Sequence, residues 1–251
     1  MNGDLFALFQ DESPAGTEFR RIHVRLQREA GDTALRTIQV TSARRGEGKS
    51  TVTAHLALTV ARHVQGRVLL VDCDLRKPRV HELYGLPQAR GMTDFMRGIL
   101  PLKAVIKDTP QPNLKAITSG RVISGPSKLF LTDVIQQAFA RITAEFDLVF
   151  VDSPPLLPVS DPLLLAPEMD GVLLTVLAGK TPRLVVRRAK DLLATVEANV
   201  LGVIVNNLTE ALPYYYDYKY YGYEEEVPRL KDRTPSRGEV KLVTPQAENR
   251  S

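Results

Sequence analysis

The sequence predicts an α/β fold, a mostly parallel sheet with helices on both faces. Three observations carry that expectation. Apolar, β-rich runs alternate with stretches of helical periodicity, the order that produces strand-helix-strand crossovers. The runs are apolar almost throughout rather than at every second residue, so both of their faces should be covered. A glycine-bearing polar loop, residues 43–50 (ARRGEGKS), joins the first strand to the first long helix after it.

In chain order, a helix near the start carries Arg20, Arg21, Arg25 and Arg28. Such a cluster is ordinarily a solvated helix face, and its functional alternative is contact with a subunit or a phosphate. Residues 34–42 (ALRTIQVTS) read as the first strand, followed by a helix from about Ser50 to Val64 and a second strand at 67–74 (RVLLVDCD). A helix from Ser127 to Glu145, with Ser127 as its N-cap, precedes the strand 147–153 (DLVFVDS). The strand 171–178 (GVLLTVLA) leads to a helix from Pro182 to Glu197, with Thr181 capping and Pro182 in the first turn. The last strand is 200–207 (VLGVIVNN), after which proline and charge dominate and neither period continues. The expected organisation is therefore one folded domain over 1–210 and a flexible tail over 211–251.

Composition narrows the class. A chain of 251 residues, 43% hydrophobic and 25% charged, fits one globular domain with an ordinary core. A net charge of +4, dispersed along the chain, is too mild for a nucleic-acid footprint, so no nucleic-acid partner is expected. The single cysteine, Cys73, leaves neither an internal disulfide nor a zinc cluster, as expected in a reducing compartment. No apolar run approaches the roughly 18 residues of a membrane helix, and MNGDLFALFQDES lacks a signal-peptide pattern. A cytoplasmic protein without its own membrane span is the expectation.

Residues Ala43 to Ser50 match the Walker A pattern, between a strand and a helix as its mechanism requires, which specifies the α/β class as a P-loop NTPase. The nucleotide contacts would come from Arg45, Gly46, Glu47, Gly48, Lys49, Ser50 and Thr51. Gly46 and Gly48 let backbone N–H groups turn toward phosphate oxygens, and the helix dipole adds positive potential there. Lys49 would bridge the β and γ phosphates of ATP, Ser50 would offer a hydroxyl to Mg2+, and Thr51 would reach the α-phosphate.

Two further strand ends carry acids. In VLLVDCDLRKP, Asp72 and Asp74 stand two residues apart and hence on one side, with Cys73 facing the core. One could take a proton from a nucleophile and the other hold Mg2+ or its water, or either could cap the next turn. In FDLVFVDSPP, Asp152 has the form of a Walker B acid that holds hydrated Mg2+, although a strand-end Asp before Ser-Pro-Pro is also a turn former. Asn206 and Asn207 close the last strand beside the ligand crevice, where Asn206 could read the adenine edge.

Seven of the eight tyrosines, Tyr214, Tyr215, Tyr216, Tyr218, Tyr220, Tyr221 and Tyr223, fall within ten residues, with no consistent period for packing. They read as phosphoacceptors or as a low-complexity aromatic tail. With SARRGEGKST, VLLVDCDLRKPRVHELYGL and FDLVFVDSPP, this run makes residues 14–223 resemble the kinase domain of the bacterial tyrosine autokinases (BY-kinases) of capsule and exopolysaccharide synthesis, in their stand-alone cytoplasmic type. The resemblance implies transfer of the γ-phosphoryl of Mg-ATP to tyrosines of a neighbouring subunit, with Lys49 in the machinery, Asp72 as base, and Asp74 and Asp152 organising the metal. It also implies a homo-oligomer and a membrane-bound activator, or polysaccharide co-polymerase, that recruits the protein to the inner face of the membrane.

Two segments depart from the family pattern. The helix motif Glu-x-x-Arg-x-x-Arg survives here as Glu18 and Arg21, with Val24 in the last place, and in the segment 117–130 (ITSGRVISGPSKLF) Gly125 and Lys128 replace the family's Asn and Glu. Two other readings share the phosphate loop. A ParA- or MinD-like positioning ATPase has the same sheet but a signature lysine where this chain has Arg44, and lacks the tyrosine run. A non-catalytic, nucleotide-dependent scaffold of polysaccharide export is the other.

Overall fold

The computed structural model describes residues 13–30 and 35–207. The seven clustered tyrosines and the boundary expected near residue 210 lie outside these residues. Helix α1 (Pro14–Ala30) is followed by strand β1 (Thr37–Ser42), helix α2 (Lys49–His63) and strand β2 (Val68–Asp72). Short helices α3 (Val80–Tyr84), α4 (Met92–Met96) and α5 (Leu102–Val105) precede strands β3 (Lys107–Asp108) and β4 (Leu114–Ile117). Then come a 3-10 turn (Pro126–Leu129), α6 (Thr132–Glu145), β5 (Leu148–Asp152), α7 (Asp161–Leu165), a second 3-10 turn (Ala166–Glu168), β6 (Gly171–Leu177), α8 (Arg183–Thr195) and β7 (Val200–Asn206).

The seven strands form one sheet in the order β3-β4-β2-β5-β1-β6-β7, parallel except for the short β3 against β4. The expected class is therefore the observed one. Alternation explains why the strands are apolar at every position. In β2, Val68 and Leu70 pack with Leu56, Val60 and Phe150 under α1 and α2, while Leu69 and Val71 pack with Ile135, Phe139 and Ile142 of α6. Cys73 lies in this second core, as expected. A third cluster seats Ala189 and Leu193 of α8 on Leu174 and Val176.

In α1, Leu26 is buried and Phe19 stacks on His55 of α2 at 5.3 Å, whereas Arg21, Arg25 and Arg28 are exposed, so most of the basic cluster is a solvated face. Glu18 and Arg21 form an exposed ion pair one turn apart. None of the described helices is long and apolar enough to cross a membrane.

Three local expectations are corrected. The 127–145 helix is two elements, because Leu131 is extended (ψ 140°) and breaks the run after Phe130, which is 1% exposed. Ser127 does not cap, since its hydroxyl donates to Asp161. The helix expected from Pro182 begins at Arg183 and ends at Thr195, and Thr181 is no cap, because its hydroxyl accepts from the Leu177 amide and donates to Glu47. Strands β3 and β4 went unpredicted: runs of two and four residues are too short for a period to emerge.

Candidate active site

The centre of the sheet sets the site. Strand β1 lies between β5 and β6, and its chain continues into the loop 43–48 and then α2. Chains diverge there to opposite sides, the crevice in which open α/β sheets bind ligands. Gly46 (φ 82°) and Gly48 (φ 85°) adopt the left-handed conformation that side-chain-bearing residues avoid, which lets successive N–H groups face one concavity.

The loop is held from below. Glu47, 3% exposed, accepts from the Arg44 amide at 2.7 Å through one carboxylate oxygen and from the Thr181 hydroxyl through the other. The Glu47 carbonyl accepts from the Asn206 side-chain amide at 3.2 Å, and Asn206 accepts in turn from the Asn207 N–H. The Glu47 side chain and the Asn206 side-chain amide are thus engaged in holding the loop. Asn206 lies against Gly48 and does not line the cleft.

Above the loop opens a cleft of about 380 Å³, lined by Arg45, Lys49, Ser50, Thr51, Asp74 and Arg76 among others. Lys49 Nζ lies 2.8 Å from Asp74 Oδ2, 3.6 Å from Asp152 Oδ1 and 3.1 Å from Ser50 Oγ. Burial pulls the Lys49 ammonium down, but Asp152 and Asp74 outweigh it and hold its pKa above the ordinary value.

Parallel pairing of β2 with β5 sets Asp72 beside Asp152 in register. Asp72 is fully buried and accepts from three backbone amides, those of Asp74 (3.1 Å), Arg79 (3.1 Å) and Val80 (3.0 Å), so it anchors the turn into α3. Burial, then repulsion from Asp152, pushes its pKa well above the usual carboxylate value. Burial likewise raises Asp152, against the pull of Lys49 and Ser50, and neither Asp152 oxygen closes a hydrogen bond.

Asp152 has the Lys49 ammonium 3.6 Å away but no hydrogen bond to either oxygen, which leaves it able to take a further cation. The Ser50 hydroxyl and Asp152 at one end of a phosphate loop fit Mg2+, which takes one or two carboxylates and completes its shell with water and phosphate oxygens. Among the described residues no group of three His, Cys, Asp or Glu side chains is arranged to hold a metal ion by itself.

Sequence reasoning missed four residues. Thr181 braces the loop through Glu47, and Arg76 lines the cleft while forking onto Asp161 with Ser127 alongside. Arg76 stands two residues beyond Asp74, and that proximity was its one signal. Ser127, Asp161 and Thr181 come from separate segments that only the fold brings together.

Comparison with known proteins places this geometry. The family described as "ParA: NUBPL iron-transfer P-loop NTPase" matches residues 34–224. The chain is 32% identical over 223 residues to the tyrosine-protein kinase YwqD of Bacillus subtilis, covering 88% of this chain and 92% of that one. Its structure resembles the kinase domain of the Escherichia coli tyrosine kinase ETK (TM-score 0.77, 27% identity, 82% of this chain and 80% of that one). It also resembles the chimerical protein CapA2B2 (TM-score 0.75, 29% identity, 80% and 88%).

Proposed function

The chain belongs to the bacterial tyrosine autokinases of the capsule and exopolysaccharide type, built on a ParA-like P-loop NTPase fold, and from that premise we propose that it transfers the γ-phosphoryl group of ATP to its C-terminal tyrosines. The observation that carries the proposal is the convergence of Lys49, Ser50, Asp74 and Asp152 on the end of one glycine loop, with Lys49 ion-paired to both acids.

The N–H groups from Gly46 to Thr51, at the start of α2, bind the phosphates, and Lys49 neutralises the β and γ oxygens. Ser50, Asp74 and Asp152 are the residues that would hold Mg2+, which would supply positive charge against the phosphate oxygens. The tyrosine oxygen bonds to the γ phosphorus as the bond to the β–γ bridging oxygen breaks, and ADP leaves with that electron pair. Asp72 takes the tyrosyl proton. A phenol with pKa near 10 is a poor nucleophile at neutral pH, so a base is wanted, and Asp72, at the end of β2 two residues before the cleft-lining Asp74, is the carboxylate proposed for it.

The acceptors are Tyr214, Tyr215, Tyr216, Tyr218, Tyr220, Tyr221 and Tyr223 of a neighbouring copy. Each phosphate adds about −1.5 to −2 charge, so several would drive assembled copies apart. A membrane-bound activator at the inner face would set when the cycle runs. Mixing a Lys49→Ala chain, as acceptor, with a chain truncated after Leu212, as donor, tests transfer between copies: phosphotyrosine on the Lys49→Ala chain supports it, and its absence when wild type labels itself contradicts it.

A further inference from the structure

The β2–α3 loop, the 3-10 turn at 126–129 and the start of α7 meet at Arg76. Asp161, 1% exposed, receives Arg76 Nε on Oδ2 at 2.6 Å, and on Oδ1 both Arg76 Nη2 at 3.2 Å and the Ser127 hydroxyl at 2.7 Å. Arg76 Nη2 also donates to Ser127 at 2.7 Å. Two sides of the guanidinium are thereby fixed by a buried carboxylate and a hydroxyl. Its Nη1 group makes no hydrogen bond or ion pair among the described residues, and the side chain, one third exposed, lines the same cleft as Lys49 and Ser50.

A fork that served only to tie three loops together would be equally satisfied with Arg76 sealed under protein. Instead the guanidinium stands at the cleft wall with its orientation set in advance, which is how a cationic donor stabilises developing charge without reorganising. We propose that Arg76 contacts the γ-phosphoryl oxygens of ATP through its Nη1 edge during transfer, and that Asp161 and Ser127 are the positioning residues that aim it. The pull of Asp161 on Arg76, which keeps the guanidinium charged, agrees with this arrangement. The role deepens the kinase reading given above and rests on it for the identity of the reaction, though not for the γ-phosphate contact.

The test separates contact with the γ phosphate from loop bracing. Binding of ADP and of a non-hydrolysable ATP analogue, each with Mg2+, is measured on the full chain alongside the melting temperature and the steady-state rate of phosphotyrosine formation. Arg76→Ala should leave ADP affinity within about twofold, weaken the ATP analogue about tenfold and lower kcat roughly 100-fold. Arg76→Lys should not recover kcat, because an ammonium cannot fork onto Asp161, whereas added methylguanidinium should partly rescue Arg76→Ala. Ser127→Ala, which leaves the Asp161 fork in place, should lower kcat severalfold with KM for ATP little changed. Equal weakening of ADP and the ATP analogue, or an unchanged kcat with only a lower melting temperature, overturns the proposal. A wild-type chain that prefers the ATP analogue through Arg76 yet forms no phosphotyrosine overturns the kinase reading and leaves the γ-phosphate contact standing.

Discussion

Asp72 and Asp152 face each other in register at the ends of neighbouring parallel strands, both fully buried, with Lys49 as the nearest cation of the pair. Two like charges in a dry crevice oppose folding and favour a bound cation. Both groups have folded-state pKa values above the unfolded one, so the folded chain binds more protons and stability falls as pH rises from about 4 through the raised pKa values. Asp152→Asn should therefore raise the melting temperature at neutral pH, flatten that decline and abolish the Mg2+-dependent activity. Melting curves from pH 4 to 8 with and without Mg2+ check it, and a lower melting temperature across that range contradicts the electrostatic account.

Gly48 is fixed by its neighbour as well as by its backbone. A Cβ there would lie 2.1 Å from the Asn206 amide nitrogen, at a φ of 85° that other residues adopt only under strain. Gly48→Ala should cost about 1–3 kcal/mol and displace Asn206 from the Glu47 carbonyl, with ATP binding lost well beyond that cost in stability. Gly46, where an added Cβ meets nothing within 4 Å, should be the milder of the two. Urea melts and nucleotide titrations of both variants make the comparison.

Three of the four histidines lie where α1 meets α2. His55, stacked on Phe19 and near Arg62, has its pKa lowered to about 4, by burial first. His23, 6.5 Å from His63, is lowered too, by burial and then by His63. A histidine whose folded pKa lies below its unfolded value stabilises the fold fully above the unfolded value near 6.5 and loses that contribution as pH falls toward 4. For His55 the full loss is about 3 kcal/mol. His55→Gln should remove that part of the acid decline between pH 6.5 and 4, read as the pH dependence of urea stability, and an unchanged slope would contradict it.

The Glu47 carboxylate accounts for a prediction of a different kind. Its bond to Thr181 links the phosphate loop to the turn before α8. Thr181→Val, which keeps the shape and removes the hydroxyl, should cost about 1–2 kcal/mol and weaken ATP more than tenfold if the loop loses its set conformation. Urea melts measure the first part and calorimetric titration with ATP the second.

Elements with a long, two-sided apolar pattern were legible from the residues: β1, β2, β5, β6 and β7 fall where the runs place them, and Lys49, Asp74 and Asp152 converge as their motifs imply. What escaped reading depends on tertiary competition. Ser127 and Thr181 both have the chemistry of helix caps, yet Asp161 and Glu47 claim their hydroxyls, and nothing local reveals those partners. Asp72 shows the converse, since its acid was visible in the strand pattern while its three amide donors come from a turn folded back over it.

The central claim is phosphoryl transfer from ATP to the clustered tyrosines. It is tested most directly by incubating the full chain with γ-labelled ATP and Mg2+ and mapping the label by mass spectrometry, beside Lys49→Ala and a chain truncated after Leu212. The account predicts label on residues between Tyr214 and Tyr223 in the wild type alone. ATP hydrolysis without any label on the protein, or label that survives the truncation, would contradict it.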